Sequence, residues 1–227
     1  MGKDRDQLKS GVILSYINLV LSSVIPMLYT PAMLRLIGQE EYGLYSLSAT
    51  AVGYLALLSF GFGGTVLRYL SLYRAKGQVE EERRAFGFFL VVYSAIAILV
   101  MVGGVFLSQH VQDIFHRSLS DNELSKMSTL MLIMAASSAV TFPISAFSSV
   151  VMAHERYTFR KIVDMAATVA TPIANLIALY LGYASVGMAV ASFALHVVLL
   201  PINMYYCFAI LEIRPSFRRI PGDLIRS

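Results

Sequence analysis

Charge is scarce in this chain: Asp, Glu, Lys and Arg make up 14 % of its 227 residues, where soluble domains carry roughly 25 %. What charge there is falls in short clusters separated by long uncharged stretches, whereas a soluble helical protein scatters charge along every exposed helix face. With 57 % hydrophobic residues and a mean hydropathy of +0.66, a water-soluble fold is excluded, and the solvent on most sides has to be lipid. Cysteine is nearly absent too. The one present, Cys207, lies in an apolar run, which rules out a disulfide framework or a cysteine metal site within one chain and leaves it as a small packing residue.

Large loops are also lacking. The longest external connection, about residues 109–126, carries His110, Asp113, His116, Arg117, Asp121 and Glu123. Its two histidines are six residues apart and so face different sides of any helix, and no metal site is expected. No paired carboxylates stand near a cavity, so catalysis is not expected either, and nothing calls for a cofactor. The net charge of +4 would suit a nucleic acid only if it formed a basic face on a folded domain. Here the lysines and arginines lie in the connections, and a nucleic-acid partner is not expected.

What the sequence has is length of apolar run. A helix rising about 1.5 Å per residue needs about 20 apolar residues to cross a hydrocarbon core roughly 30 Å thick. Six segments qualify: 11–34, 42–67, 85–109, 127–153, 162–181 and 185–211, followed by a tail over 212–227. The last two spans share an uncharged stretch from Met165 to Leu211, divided at Gly182-Tyr183-Ala184. Lys3, Arg5 and Lys9 precede the first run, but that run is uncharged for 24 residues, from Gly11 to Leu34. That is span length and exceeds a signal-peptide core. Expected, then, is an all-α integral membrane bundle of six transmembrane helices forming a single membrane domain.

Its orientation follows from lysine and arginine in short loops. The N-terminal tail holds three, the second connection five (Arg68, Arg74, Lys76, Arg83, Arg84), the fourth three (Arg156, Arg160, Lys161) and the C-terminal tail four (Arg214, Arg218, Arg219, Arg226). The opposite side has Arg35, Arg117 and Lys126, so fifteen face three. Both termini are expected in the cytoplasm. Glu80, Glu81 and Glu82 ahead of Arg83 and Arg84 read as a charged helix start at the membrane surface.

Polar residues recur at helical spacing inside four of the spans. They are Ser15, Asn18, Ser22 and Tyr29 in the first, and Ser138, Thr141, Ser145 and Ser148 in the fourth. The fifth carries Asp164, Thr168, Thr171 and Asn175, and the sixth Ser192, His196 and Asn203. Small hydroxylated residues let membrane helices approach and hydrogen-bond, which is the packing reading. Larger polar groups in lipid face a cavity more often, so Asn18, Tyr29, Asn175, His196 and Asn203 are the cavity candidates. His196 and Asp164 are the candidates for ion coupling, against packing for the first and an ion pair with Arg160 or Lys161 for the second. Pro26, Pro143, Pro172 and Pro201 fall inside four spans, where each removes a backbone hydrogen bond and tends to kink its helix.

One stretch is a motif: Pro31-Ala32-Met33-Leu34-Arg35-Leu36-Ile37-Gly38-Gln39-Glu40-Glu41-Tyr42-Gly43-Leu44-Tyr45-Ser46-Leu47. A weaker one is Phe60-Gly61-Phe62-Gly63, followed by Arg68-Tyr69 and Arg74-Ala75-Lys76-Gly77. Together they resemble the polysaccharide biosynthesis proteins, or oligosaccharide flippases, of the multidrug/oligosaccharidyl-lipid/polysaccharide exporter superfamily. The remaining helices match by layout. The resemblance implies one lobe of a two-lobe transporter in the cytoplasmic membrane, with a second lobe or a second copy as partner. It also implies that membrane lipid surrounds the protein and that a polyprenyl-pyrophosphate-linked glycan is its substrate.

Under that implication Arg35 and Arg68, at the two ends of the second span, become candidates for meeting a pyrophosphate, since guanidinium matches phosphate oxygens bidentately. Interfacial anchoring is their plainer role. Gly61, Gly63 and Gly64 would allow a hinge or close helix packing. An ion-coupled multidrug exporter expects an acidic residue deep in the first or second span, and both spans lack Asp and Glu. A non-transporting assembly partner is the other alternative.

Overall fold

The computed structural model describes residues 2–57, 62–115 and 119–217, with side chains from Val12 onward. The side chains of Lys3, Arg5 and Lys9 therefore lie outside the described residues, as do Phe60, Gly61, His116, Arg117, Arg218, Arg219 and Arg226. Among the described residues all regular structure is helical: α1 (Gly2–Ala56), α2 (Phe62–Ala75), α3 (Val79–Gln109), α4 (Val111–Phe115), α5 (Asp121–Ala153), α6 (Tyr157–Tyr180) and α7 (Ala184–Tyr205). A π-helical turn, Tyr206–Ile210, ends α7.

Five helices are long and apolar enough to cross a membrane: 12–56, 79–109, 121–153, 157–180 and 184–210. Helix α3 shows why. Phe89, Tyr93, Ile96, Val100 and Gly104 form a buried stripe, while Val91, Ile98, Val102 and Phe106 on other faces are exposed. A helix apolar all round has its outer surface in lipid, and the chain is a multi-pass membrane protein.

The first two expected spans both fall in α1 and its continuation, and the outcome differs from a helix, a loop and a helix. The 35–41 stretch read as a connection is helical except at Gly38, where φ is 81° and ψ 167°. Only glycine adopts that conformation without strain. A straight helix of 55 residues would run roughly 80 Å at about 1.5 Å per residue, and the contacts of α1 are incompatible with that. Ahead of Gly38, Asn18 bonds Thr168 and Tyr29 bonds Asn175, and Met33 packs with Leu179, so this arm runs parallel to α6. Beyond Gly38, Glu41 bonds Ser185 and Leu44 packs with Ala189, so that arm runs parallel to α7. Helices α6 and α7 are themselves antiparallel, joined by a turn in which Gly182 has φ 83° and bridged by a Ser192–Asn175 bond. The two arms of α1 therefore run in opposite directions. The second arm ends at Ala56, and α2 supplies the rest of the expected 42–67 helix from Phe62 onward; residues 58–61 lie outside the described residues.

Elsewhere the helices outrun their apolar parts. Helix α3 begins at Val79 and holds Glu80, Glu81 and Glu82 in its first turn. Helix α5 begins at Asp121 because Ser120 and Glu123 close a capping box: the Ser120 side chain accepts from the Glu123 N–H, and the Ser120 N–H donates to Glu123 Oε2 at 2.8 Å. Helix α6 starts at Tyr157, ahead of the expected 162.

The largest core joins α2, α3, α5 and the end of α7 through Leu70, Phe86, Phe89, Phe147, Val150 and Cys207. Helices α3 and α5 meet at Gly104, where an added Cβ would lie 2.1 Å from that of Ala135. After the π turn the chain doubles back. Ile213 is buried in the same core, and the Ser216 N–H donates to Arg83 O at 2.9 Å. That crossing needs Gly87, whose Cβ would stand 2.3 Å from Ser216 O.

Candidate functional site: an uncharged polar chamber

Three of the four polar seams meet one another. Thr168 Oγ donates to Asn18 Oδ1 at 3.3 Å and to Asp164 O at 2.8 Å. Asn175 Nδ2 donates to Tyr29 OH, and Asn175 Oδ1 accepts from Ser192 Oγ, each at 3.2 Å. Tyr29, Asn175 and Ser192 thus form a hydrogen-bonded chain across α1, α6 and α7. Asn175 is 4 % exposed, and its amide is held from both sides, as a polar group withdrawn from water has to be. These partners show that the seam ties helices together; the packing and cavity readings are not exclusive.

The fourth seam leads to open space. A chamber of about 220 Å³ lies between the second arm of α1, α5 and α7. Tyr45, Ser137, Ser138, Thr141, Ser192 and His196 supply its polar lining, and Ala49, Val52, Gly53, Met134 and Ala189 the remainder. His196 Nδ1 and Ser137 Oγ are 2.8 Å apart, which fixes the ring and turns the other nitrogen away from that partner. Thr141 Oγ donates to Ser138 O at 2.7 Å. No Asp, Glu, Lys or Arg is among the lining residues. Ser192 belongs to both the seam and the chamber, so a displacement of one reaches the other through a single side chain.

The other expected residues lie apart. Asn203 is fully buried, donates to Leu199 O at 2.8 Å and leaves its Oδ1 without a hydrogen-bond partner. It is two turns along α7 from His196 and does not line the chamber. Arg35 and Arg68 are both exposed. Arg35 sits beside the Gly38 bend, while Arg68 is on α2, whose buried residues pack with Ala85 and Phe86 near the start of α3, so the two share no site. Asp164 is paired with Arg160 at 2.8 Å, and Arg160 also bonds Ser148 Oγ on α5. Ser22 is exposed and donates to Leu19 O.

Two polar clusters at the ends of the bundle were not legible as partners. At the Gly38 end, Glu41 accepts from Lys126 Nζ at 2.9 Å and from Ser185 Oγ at 2.6 Å, so one carboxylate fastens the bend of α1 to the starts of α5 and α7. At the other end, His154 and Glu82 are both buried, with Nδ1 and Oε1 3.6 Å apart. That distance is too long for a hydrogen bond, and His154 Nδ1 donates instead to Val150 O at 2.9 Å. Burial, with the charges of Arg74 and Arg156 in the same direction, brings the imidazole pKa down to about 4 against the opposing Val150 bond. His154 is therefore neutral near pH 7, and its contact with Glu82 is not an ion pair.

Comparison with known proteins follows the same lines. A family described as polysaccharide biosynthesis protein matches residues 8–225. No curated protein sequence matches the chain significantly. Among solved structures, a MOP superfamily transporter from Pyrococcus furiosus superposes with a TM-score of 0.70 at 14 % identity, over 97 % of this chain and 50 % of that one. The reverse polarity of that protein's binding pocket is said to suggest a different function for it. At this identity the likeness is one of fold, and the chain spans about half the length of the transporter it matches.

Proposed function

The chain belongs to the polysaccharide biosynthesis protein family, and from that premise we propose that it forms one six-helix lobe of a flippase. This flippase moves a lipid-linked oligosaccharide or polysaccharide precursor across the cytoplasmic membrane by alternating access. Five helices are long and apolar enough to span, and the reversal at Gly38 supports reading α1 as two passages, for six in this proposal. The fifteen-to-three distribution of lysine and arginine puts both termini in the cytoplasm. A second lobe, or a second copy, completes the transport path, and the lobes rock about a site held between them.

The observation that carries this reading is the chamber: hydroxyl and imidazole groups gathered between the second arm of α1, α5 and α7 around unfilled space. His196 lines it, while Tyr29 and Asn175 brace it through Ser192 and Asn18 ties the first arm of α1 to α6 through Thr168. Asn203 sets the helix beyond it, and Arg35 and Arg68 serve the polar head of the carrier at opposite ends of the second passage. Of the two candidates for ion coupling, Asp164 has its carboxylate committed to Arg160, and His196 meets the substrate as the neutral imidazole. A multidrug exporter driven through an acidic residue is less well supported. The acidic side chains described along α1, Glu40 and Glu41, stand at the bend and not at mid-bundle, and Glu41 is bonded to Lys126. Deleting the gene should trap lipid-linked glycan on the cytoplasmic leaflet, read by its protection from a reagent added outside spheroplasts. Unchanged export of glycan would refute the assignment.

A further inference from the structure

We propose that the chamber between α1, α5 and α7 selects an uncharged, hydroxyl-rich ring, a neutral hexose residue of the transported glycan, and rejects sugars that carry a carboxylate. This rests on the flippase reading above and specifies its substrate.

The lining decides the class. Its polar atoms come from Tyr45, Ser137, Ser138, Thr141, Ser192 and His196, with no formally charged side chain. A carboxylate seated against it gains no fixed cation from this lobe for the hydration it gives up, and burying an unpaired charge is far more costly than burying a hydroxyl that finds a partner. A sugar hydroxyl both donates and accepts. The chamber supplies the accepting partners, because two of its hydroxyls have already spent their protons: Ser192 on Asn175 and Thr141 on Ser138 O. Their oxygen lone pairs are left to accept from a ligand. Ser137 holds His196 by Nδ1, which leaves the other ring nitrogen to donate to a ligand or accept from it according to the tautomer. The volume agrees. At about 220 Å³ the space is below the roughly 300–1,000 Å³ of sites enclosing drug-sized ligands and suits a single sugar ring.

Helix packing does not account for it. A packing seam draws helices together over small residues until the gap closes. Here Ala49, Gly53 and Ala189 are small and the gap stays open, with hydroxyls directed round it. Lys126 and Arg160 are committed to Glu41 and Asp164 and do not line the chamber.

The test uses the full-length protein in phosphatidylethanolamine–phosphatidylglycerol vesicles. Two probes are compared, undecaprenyl-diphosphate-linked glucose and the corresponding glucuronic acid, and flipping is read as loss of protection from periodate added outside. The glucosyl probe should move at least about tenfold faster, the minimum expected when a buried site cannot pair a charge. Ser138→Lys should shift the ratio toward the glucuronosyl probe by a similar factor, whereas Ser138→Asp should not; a folding defect would slow both probes together in either variant. Equal rates in the wild type, or faster glucuronosyl movement, would overturn the neutral-ring inference while leaving the flippase standing. Movement of neither probe would remove the flippase reading, and this inference with it.

Discussion

Replacing Gly104 by alanine tests whether α3 and α5 are held by their closest approach. The new Cβ would stand 2.1 Å from that of Ala135, against the roughly 3.5–4.0 Å at which carbon atoms rest. The helices would have to part by about 1.5 Å at a point where Val100 and Ala135 are fully buried. Overpacking of this kind costs about 1–3 kcal/mol. Alanine recovers up to about 1 kcal/mol through its better helix propensity, so the net loss should be about 1–2 kcal/mol. For a chain of this size that lowers the melting temperature by roughly 3–6 °C.

The assay is built into the sequence. Cys207 is the single cysteine and is fully buried, so a thiol-reactive dye reports its exposure as detergent-solubilised protein is heated. Gly43→Ala is the control, because its Cβ would meet nothing within 4 Å and should leave the melt unchanged or raised. Ala135→Gly placed on top of Gly104→Ala should restore most of the loss, since the two Cβ atoms then no longer compete. A Gly104→Ala protein melting at or above wild type would refute the idea that this contact sets the α3–α5 spacing.

Three further outcomes are expected. Gly38→Ala meets no steric obstacle yet forces a side chain into φ 81°, so it should cost about 1–3 kcal/mol and show as a lower melting point in the same dye assay; no change would mean that the bend does not depend on glycine. His154 has its folded pKa depressed to about 4 from an ordinary value of about 6.5, so the unfolded chain binds the extra proton between those values. Stability is then full above about pH 6.5 and falls toward pH 4 by up to about 1.4 kcal/mol per pH unit, a slope that His154→Gln should flatten and that, if unchanged in the variant, would sink the assignment. In a Cys207→Ala background, cysteines at Lys76 and Thr158 should react with an impermeant thiol reagent from the cytoplasmic side only, and labelling from outside intact cells would reverse the proposed orientation.

Charge told where the apolar runs end, and that is not where the helices end. Glu80 to Arg84 lie in α3, Asp121 to Lys126 in α5 and Tyr157 to Lys161 in α6, because polar and charged side chains can extend a helix into the interface once its backbone is capped. The same logic explains the bend of α1. Arg35, Gln39, Glu40 and Glu41 read as a loop through their polarity, yet all are sound helix formers, and a single glycine suffices to reverse the chain between them. Periodicity found His196, Ser192, Ser138 and Thr141, since each repeats along its own helix. It missed Ser137 and Tyr45, which join the chamber only because α5 and the second arm of α1 flank α7.

The most informative omission is Glu41, which lies in the motif and marked no more than the edge of a span. In the fold it bonds Lys126 on α5 and Ser185 on α7, four residues before Tyr45 enters the chamber wall. The bend, the clamp and the chamber therefore lie on one turn-by-turn path along the second arm: Gly38 reverses the chain, Glu41 fastens it, and Tyr45 meets the space that Ser192 and His196 border. A motif of that composition is under constraint at three levels at once. The backbone needs a positive φ, the Gly38 end needs an anion within reach of two neighbouring helices, and the wall needs a ring with a hydroxyl. A movement that loosened the Glu41 clamp would carry Tyr45 with it, since the two lie one turn apart on the same arm.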